Sequence, residues 1–227
     1  MNFEFSADQM QLKDIARKFL EKENAVKRAR NVLEGEESYD ENLWQQIIEM
    51  GFTATAIPEE FGGLGLGYLE LCVIAEELGR SLAPTPFSSS VYLATEAILN
   101  SEDDSLKQNY LPSLANGEKI GSFAHSESNT SPTESNIQCN VSGNALSGKK
   151  IAVVDGDISN FFVVSAKNGS NVGLYLVDAS SDGVGIERQP TLDPSRSHAS
   201  VIFENAACHE LQSEWSSVTN LLDRAAV

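Results

Sequence analysis

The chain has 227 residues, 41% of them hydrophobic, and a formal net charge of −17. That length and apolar content support one large or two modest domains with a proper core and exclude disorder. The charge opposes nucleic acid and anionic membrane surfaces as partners, because no local basic patch offsets it. Cys72, Cys139 and Cys208 are odd in number, far apart and free of C-x-x-C spacing, which predicts no disulfide, no metal site and a reducing, cytoplasmic setting. Met1 leads into no charged-then-apolar leader and no apolar run is long enough to span a bilayer, so membrane insertion is not expected.

Taken in chain order, Ser6 and Gln9 form a capping box with Phe5 just before it, and Leu12, Ile15, Ala16 and Phe19 follow at helical spacing. The opposite face carries Lys13, Asp14, Arg17, Lys18 and Glu21, with Asp14 and Lys18 placed to pair at i,i+4 on a solvated surface. An acid-rich loop around Gly35 precedes a second helix on Leu43, Trp44, Ile47 and Ile48, ended by Gly51. Phe52 to Ile57 then lead into Pro58-Glu59-Glu60-Phe61-Gly62-Gly63-Leu64-Gly65-Leu66-Gly67, a connection whose glycines permit positive φ or close backbone approach. It fits neither phosphate-binding fingerprint: Tyr68 stands where G-x-G-x-x-G needs its last glycine, and no Lys-Ser/Thr follows as a P-loop requires. Leu66 to Leu82 reads as a largely buried helix, Pro84 and Pro86 break the chain, and two more helices follow, one on Val91, Ala94, Ala97 and Ile98, the other on Leu106, Tyr110, Leu111 and Leu114.

Beyond Gly117 the period changes. Ile120–His125, Ile137–Val141, Ala145–Val154, Phe161–Ala166, Val172–Val177, Gly185–Gln189 and Ala199–Phe203 are short runs, separated in part by turn signals at Ser142-Gly143-Asn144, Asn168-Gly169 and Asp182-Gly183. The expected fold class is α+β: an all-α domain over residues 1–118, an antiparallel β-barrel or sandwich over 119–211, and the start of a further helix over 212–227. That last helix begins at Trp215 and shows no stop signal, so Leu221 and Leu222 are expected to form an exposed apolar patch.

The glycine loop with Pro58 and its two glutamates resembles the P-E-E-[FY]-G-G-x-G motif of the acyl-CoA dehydrogenase family, where this segment closes the helical domain over the acyl pocket. Leu146-Ser147-Gly148-Lys149-Lys150 resembles that family's L-x-G-x-K, and Asn160 to Ala166 its A-D-x-x-x-V-x-A. Thr191-Leu192-Asp193-Pro194-Ser195-Arg196 is similar to the L-D-x-T-R run of a bacterial subgroup. The order of helical domain, β domain and helix start is that of the family throughout the 227 residues, with the C-terminal helical bundle missing.

The resemblance implies oxidation of the α,β bond of an acyl-CoA thioester to the enoyl-CoA. A carboxylate takes the α-proton while the β-hydrogen leaves as hydride to FAD, so base and flavin flank one acyl chain. It also implies an electron-transfer flavoprotein or similar acceptor, homo- or hetero-oligomerisation through the missing bundle, and a catalytic base beyond Val227; none of Glu59, Glu60 and Glu127 takes that role. The family grips flavin with A-x-T-E-P and W-[IV]-T segments, which here read Ala124-His125-Ser126-Glu127-Ser128 and Ala152-Val153-Val154. The cofactor-binding candidates are therefore Phe123, His125, Ser126, Ala152, Val153 and Val154. Ser128 replaces the proline, no G-S-D follows it, the Trp and Thr of the second segment are lost, and the family draws base, closed pocket and phosphate grip from the missing bundle, so the 227 residues alone are expected to bind FAD weakly or not at all and to show no turnover. For His125 a strand-end histidine bonded to a neighbour is expected ahead of a catalytic role. The alternatives of the same fold are a non-catalytic subunit of a heteromeric dehydrogenase and an acyl-CoA oxidase or flavin monooxygenase.

Overall fold

The computed structural model of the protein describes residues 5–226. Helix α1 (Ala7–Lys22) starts on the expected box: the Ser6 hydroxyl accepts from the Gln9 amide, and the Gln9 side chain accepts from the Ser6 amide. Its charged face is not simply solvated. Lys13 meets Glu76 at 2.6 Å and Arg17 meets Glu77 at 2.6 Å, both on α4 (Tyr68–Arg80). Glu77 is fully buried, and a buried carboxylate needs a cation, so Arg17 crosses to α4; the expected Asp14–Lys18 pair is not among the ion pairs of the described residues.

A helix not expected from the sequence, α2 (Ala25–Glu34), follows at Asn24, whose φ of 54° makes the corner. Only Ala25 and Val32 of α2 are buried, which leaves too short an apolar stripe to read. Helix α3 (Glu41–Glu49) is capped by the Asp40 carboxylate, which accepts from the Leu43 amide at 2.8 Å, and ends at Gly51 with φ 74°. Trp44, Ile47, Phe52, Ile74 and Phe87 then knit these helices into one apolar cluster. The glycine loop turns back on residues 54–57, where the amides of Leu64, Gly65 and Leu66 donate to the carbonyls of Ala54, Ile57 and Thr55, each at 2.9 Å. After it come a π-helical stretch (Ser88–Thr95), α5 (Glu96–Leu99) and α6 (Asp104–Ala115).

The strands are β1 (Gly121–Ala124), β2 (Asn140–Ser142), β3 (Ala145–Val154), β4 (Phe161–Asn168), β5 (Asn171–Asp178), β6 (Val184–Gln189), β7 (His198–Ala207) and β8 (His209–Gln212). They form one sheet in the order β6-β7-β3-β2-β4-β5-β8, and β1 pairs with β4. Most pairings are antiparallel, but β1 and β2 each run parallel to β4. β8 was not expected; with four residues it offers almost no periodicity to read.

The sheet is buried on both sides of β4. Phe161 and Val163 face the helices, where they join Ile57, Phe61, Ile98 and Leu111; Phe162, Val164 and Ala166 face the opposite core with Val201 and Phe203. Helix α7 (Trp215–Ala225) packs on the helical side through Val218 and Leu221. This corrects the expected exposed pair: Leu221 is 4% exposed because it sits in that core, and only Leu222, at 37%, faces outward. Among the described residues no helix is long and apolar enough to cross a membrane.

Candidate functional site

The two segments singled out for cofactor binding, 124–128 and 152–154, lie side by side. The Ile151 amide donates to the Ser126 carbonyl at 2.8 Å, and the Ser122 hydroxyl donates to the Val154 carbonyl at 2.6 Å. β3 breaks register with β7 between Lys150 and Val153, and Ala152 takes φ 52° in that bulge with its methyl exposed. Val153 points the other way into the core and Val154 is half-buried.

Behind Ser126 sits a buried charge cluster whose members no sequence motif brings together. The Lys150 ammonium, fully buried, donates to the Glu127 carboxylate at 2.7 Å, the His125 carbonyl at 3.0 Å and the Ser165 hydroxyl at 3.1 Å. Glu127 also accepts from the amides of Gln138 at 2.6 Å and Cys139 at 3.0 Å. Burial pushes the Glu127 carboxyl up, but Lys150 and the two amides outweigh it, so the net shift is downward. Burial holds the Lys150 ammonium below its ordinary value. A lysine at an inward-facing register of a strand was the available signal, since such a charge must find a partner.

His125 is part of an aromatic stack. Its ring lies on Phe123 with centroids 5.1 Å apart and planes 15° from parallel, and Trp215 at the start of α7 packs against it, tilted by 31°, at 5.9 Å. Its Nδ1 is 2.7 Å from the Ser165 hydroxyl. Burial first, and the nearby Lys150 charge second, bring His125 from the ordinary 6.5 down to about 4, so the ring is neutral at neutral pH. The unfolded chain therefore takes up a proton near pH 6.5 that the folded chain refuses until about pH 4, and stability is lost as pH falls through that window. His125→Phe keeps the stack and removes the titration. Urea unfolding at about pH 7 and about pH 5 should show wild type losing roughly 1 to 2 kcal/mol more than the variant; equal losses would assign the acid sensitivity to the carboxylates alone.

The Ser126 hydroxyl and the amides of Ser126 and Glu127 make no hydrogen bond among the described residues. They form a short edge of donors next to the exposed bulge, suited to carbonyl oxygens of a planar ligand. Residues 6–118 match the family model described as the acyl-CoA dehydrogenase N-terminal domain. This chain belongs to the acyl-CoA dehydrogenase family.

Among acyl-CoA dehydrogenase relatives, the mitochondrial isovaleryl-CoA dehydrogenase of Arabidopsis thaliana is 30% identical over 181 residues, 77% of this chain and 44% of that protein. The chain thus spans less than half the length of this curated relative. The ChsE4–ChsE5 complex from Mycobacterium tuberculosis contains a chain that is 25% identical with a TM-score of 0.83, covering 97% of this chain and 61% of that one. An acyl-CoA dehydrogenase complexed with FAD from Bacillus anthracis shares the fold at TM-score 0.83 and 21% identity, over 97% of this chain and 40% of that one.

Two cavities open in this acyl-CoA dehydrogenase chain away from the sheet. One, of about 360 Å³, lies between α4, the π-helical stretch and the end of α7, with Ile57, Leu71, Val91 and Leu99 in its lining. At its rim the buried Glu96 accepts from the Tyr68 hydroxyl at 2.9 Å and from Asn100, and pairs with Arg224. The other, of about 590 Å³, runs between α2, the C-terminal turn of α4 and residues 193–196. Arg196 there clamps the buried Asp155, which also accepts from the Ser89 hydroxyl at 2.5 Å, tying the π-helical stretch to the end of β3.

Proposed function

We propose that these residues are the flavin-edge and acyl-chain portion of an FAD-dependent acyl-CoA dehydrogenase that oxidises an acyl-CoA to its enoyl-CoA. The observation that carries the reading is the donor edge of Ser126 and Glu127 held beside the 152–154 bulge, within a chain of this family. FAD, when bound, supplies the acceptor for the β-hydride. The Ser126 hydroxyl and the adjacent amides would hold the flavin, Phe123 and His125 stiffen the strand that presents them, and Val153 and Val154 fix the neighbouring bulge. Neutral His125 stores no proton. The narrower cavity, with its apolar lining, seats the acyl chain. We place the protein in the cytoplasm, with an electron-transfer flavoprotein or similar acceptor downstream and with homo- or hetero-oligomeric assembly.

No base is assigned within the chain. Glu77, Glu96, Asp155 and Glu127 are each matched to a cation, through Arg17 and Arg80, Arg224, Arg196 and Lys150 respectively, which leaves their oxygens occupied. Glu59 and Glu60 lie exposed on the glycine-loop turn. The 227 residues alone should therefore give no sustained acyl-CoA turnover. A non-catalytic subunit of a heteromeric dehydrogenase is the second reading, favoured by the exposed Ala152 methyl where an aromatic wall would stand.

The test is FAD titration of wild type and Ser126→Ala, followed by flavin absorbance. One lost hydrogen bond of about 1 kcal/mol predicts roughly fivefold weaker retention in the variant. Overlaid titrations would remove Ser126 from the site, and absence of flavin absorbance from a full-length preparation that includes the C-terminal bundle would favour the non-catalytic reading.

A further inference from the structure

The narrow and wide cavities share two wall residues, Ala75 of α4 and Tyr92 of the π-helical stretch. Ala75 contributes only a methyl group, so the bulk between the two spaces is the Tyr92 ring. That ring leans edge-on against Phe87 at 5.4 Å, and Phe87 itself lines the wide cavity. The Tyr92 hydroxyl has no hydrogen-bond partner among the described residues, although burial, followed by the nearness of Cys72, pushes its pKa up. Cys72 lines the narrow cavity and Arg196, which acts on the phenol in the opposite sense, lines the wide one. The side chain is thus placed between the two spaces and held by packing rather than by a polar bond. A backbone in π-helical form fits this role, since such stretches cluster at functional sites.

The wide cavity has no function in the reading given above. Its walls are nonetheless largely apolar: Leu33, Leu78, Leu82 and Phe87 line it, with Leu33 44% and Leu82 64% exposed at its rim. Water in contact with such walls is readily displaced by a hydrocarbon chain.

We propose that Tyr92 is the back wall of the acyl seat and sets the length of acyl chain this protein accepts, with the wide cavity as the space it closes off. The inference rests on the narrow cavity being the acyl seat. Trimming Tyr92 joins the two spaces, and a longer chain then passes between α4 and the π-helical stretch to lie along Leu78, Leu82 and Phe87.

The experiment is calorimetric titration of the purified chain with acyl-CoAs from butyryl to palmitoyl, with free CoA as the baseline. Wild-type affinity should rise about fourfold for each methylene that is buried and level off where the chain reaches Tyr92. Tyr92→Ala should move that plateau to longer chains and tighten palmitoyl-CoA at least about tenfold. Tyr92→Phe should leave the profile unchanged, because the hydroxyl anchors nothing. Ala75→Phe, which adds bulk to the same partition from α4, should shorten the plateau and keeps the test decisive if Tyr92→Ala fails to fold. Acyl-dependent binding with the same plateau in wild type, Tyr92→Ala and Ala75→Phe overturns the role of Tyr92 while leaving the acyl seat in place. Binding of every acyl-CoA no tighter than free CoA overturns the acyl seat itself, and the inference with it.

Discussion

Gly63→Ala should destabilise the fold by at least about 3 kcal/mol, while Gly62→Ala, one residue earlier, should cost only about 1 to 2 kcal/mol. The two glycines do different work. A Cβ at Gly62 meets nothing within 4 Å, so its only penalty is the left-handed backbone at φ 80°. At Gly63 the Cβ would stand 1.9 Å from the Ile57 carbonyl oxygen and 2.3 Å from its carbon. Those are backbone atoms and cannot rotate away. The same carbonyl accepts from the Gly65 amide at 2.9 Å, so relief of the clash opens the loop and uncouples residues 64–66 from 54–57. Ile57 is fully buried in the core shared with β4 and β5, and the disturbance reaches the sheet. Urea unfolding of the two variants beside wild type checks this; a Gly63→Ala midpoint at or above that of Gly62→Ala would show that the close approach carries no weight.

The glycine loop was legible because its constraint is local and chemical: only glycine permits both the turn and the approach. The same holds for the α1 cap, and for the hairpins at Ser142↔Ala145 and Asn168↔Asn171, where turn residues and alternating apolar runs agree. What the sequence hid are features fixed by distant residues. α2 owes its place to Arg28, which bonds Glu23 at the end of α1 and Asp40 at the α3 cap, a contact that leaves no apolar period. The parallel pairing of β1 with β4 joins residues 40 apart, and nothing in either run states its partner. Leu221 and Leu222 look alike in sequence; packing against the sheet buries one of them.

The candidate site divides in the same way. Its two segments could be located by resemblance, and the structure sets them side by side through Ser126 and Ile151. Their support could not be located, because Lys150, Glu127 and Ser165 come from separate strands and loops. In sequence Trp215 marks only the start of a helix, yet it packs against the His125 ring beside the donor edge. An aromatic wall missing at Ala152 is thus not restored by Trp215, which packs on a different side chain.

Glu127→Gln should be the most damaging conservative change at this site, costing about 3 to 5 kcal/mol. The variant keeps size and shape but asks an uncharged amide to replace a carboxylate that faces donors on every side. Oε1 accepts from Lys150 and the Cys139 amide, and Oε2 from the Gln138 amide. A glutamine must turn its NH₂ toward one of these groups, and the fully buried Lys150 ammonium loses its only counter-charge within salt-bridge distance among the described residues. Burial already disfavours that ammonium, so the variant gains stability as pH rises from the lowered folded value of Lys150 toward its ordinary one. At the acid end wild type carries a further dependence of the same sign: the depressed Glu127 carboxyl contributes stability that is lost as pH falls through its folded value, a loss the variant cannot show. The double variant Glu127→Gln with Lys150→Met removes the unpaired charge and should recover at least about 2 kcal/mol relative to Glu127→Gln alone. Because the pair lies directly behind Ser126, FAD retention should fall with the single change. Urea midpoints of wild type, both single variants and the double variant close the cycle; a Glu127→Gln midpoint indistinguishable from wild type, or a double variant less stable than Glu127→Gln, would mean that the ion pair does not hold the donor edge in place.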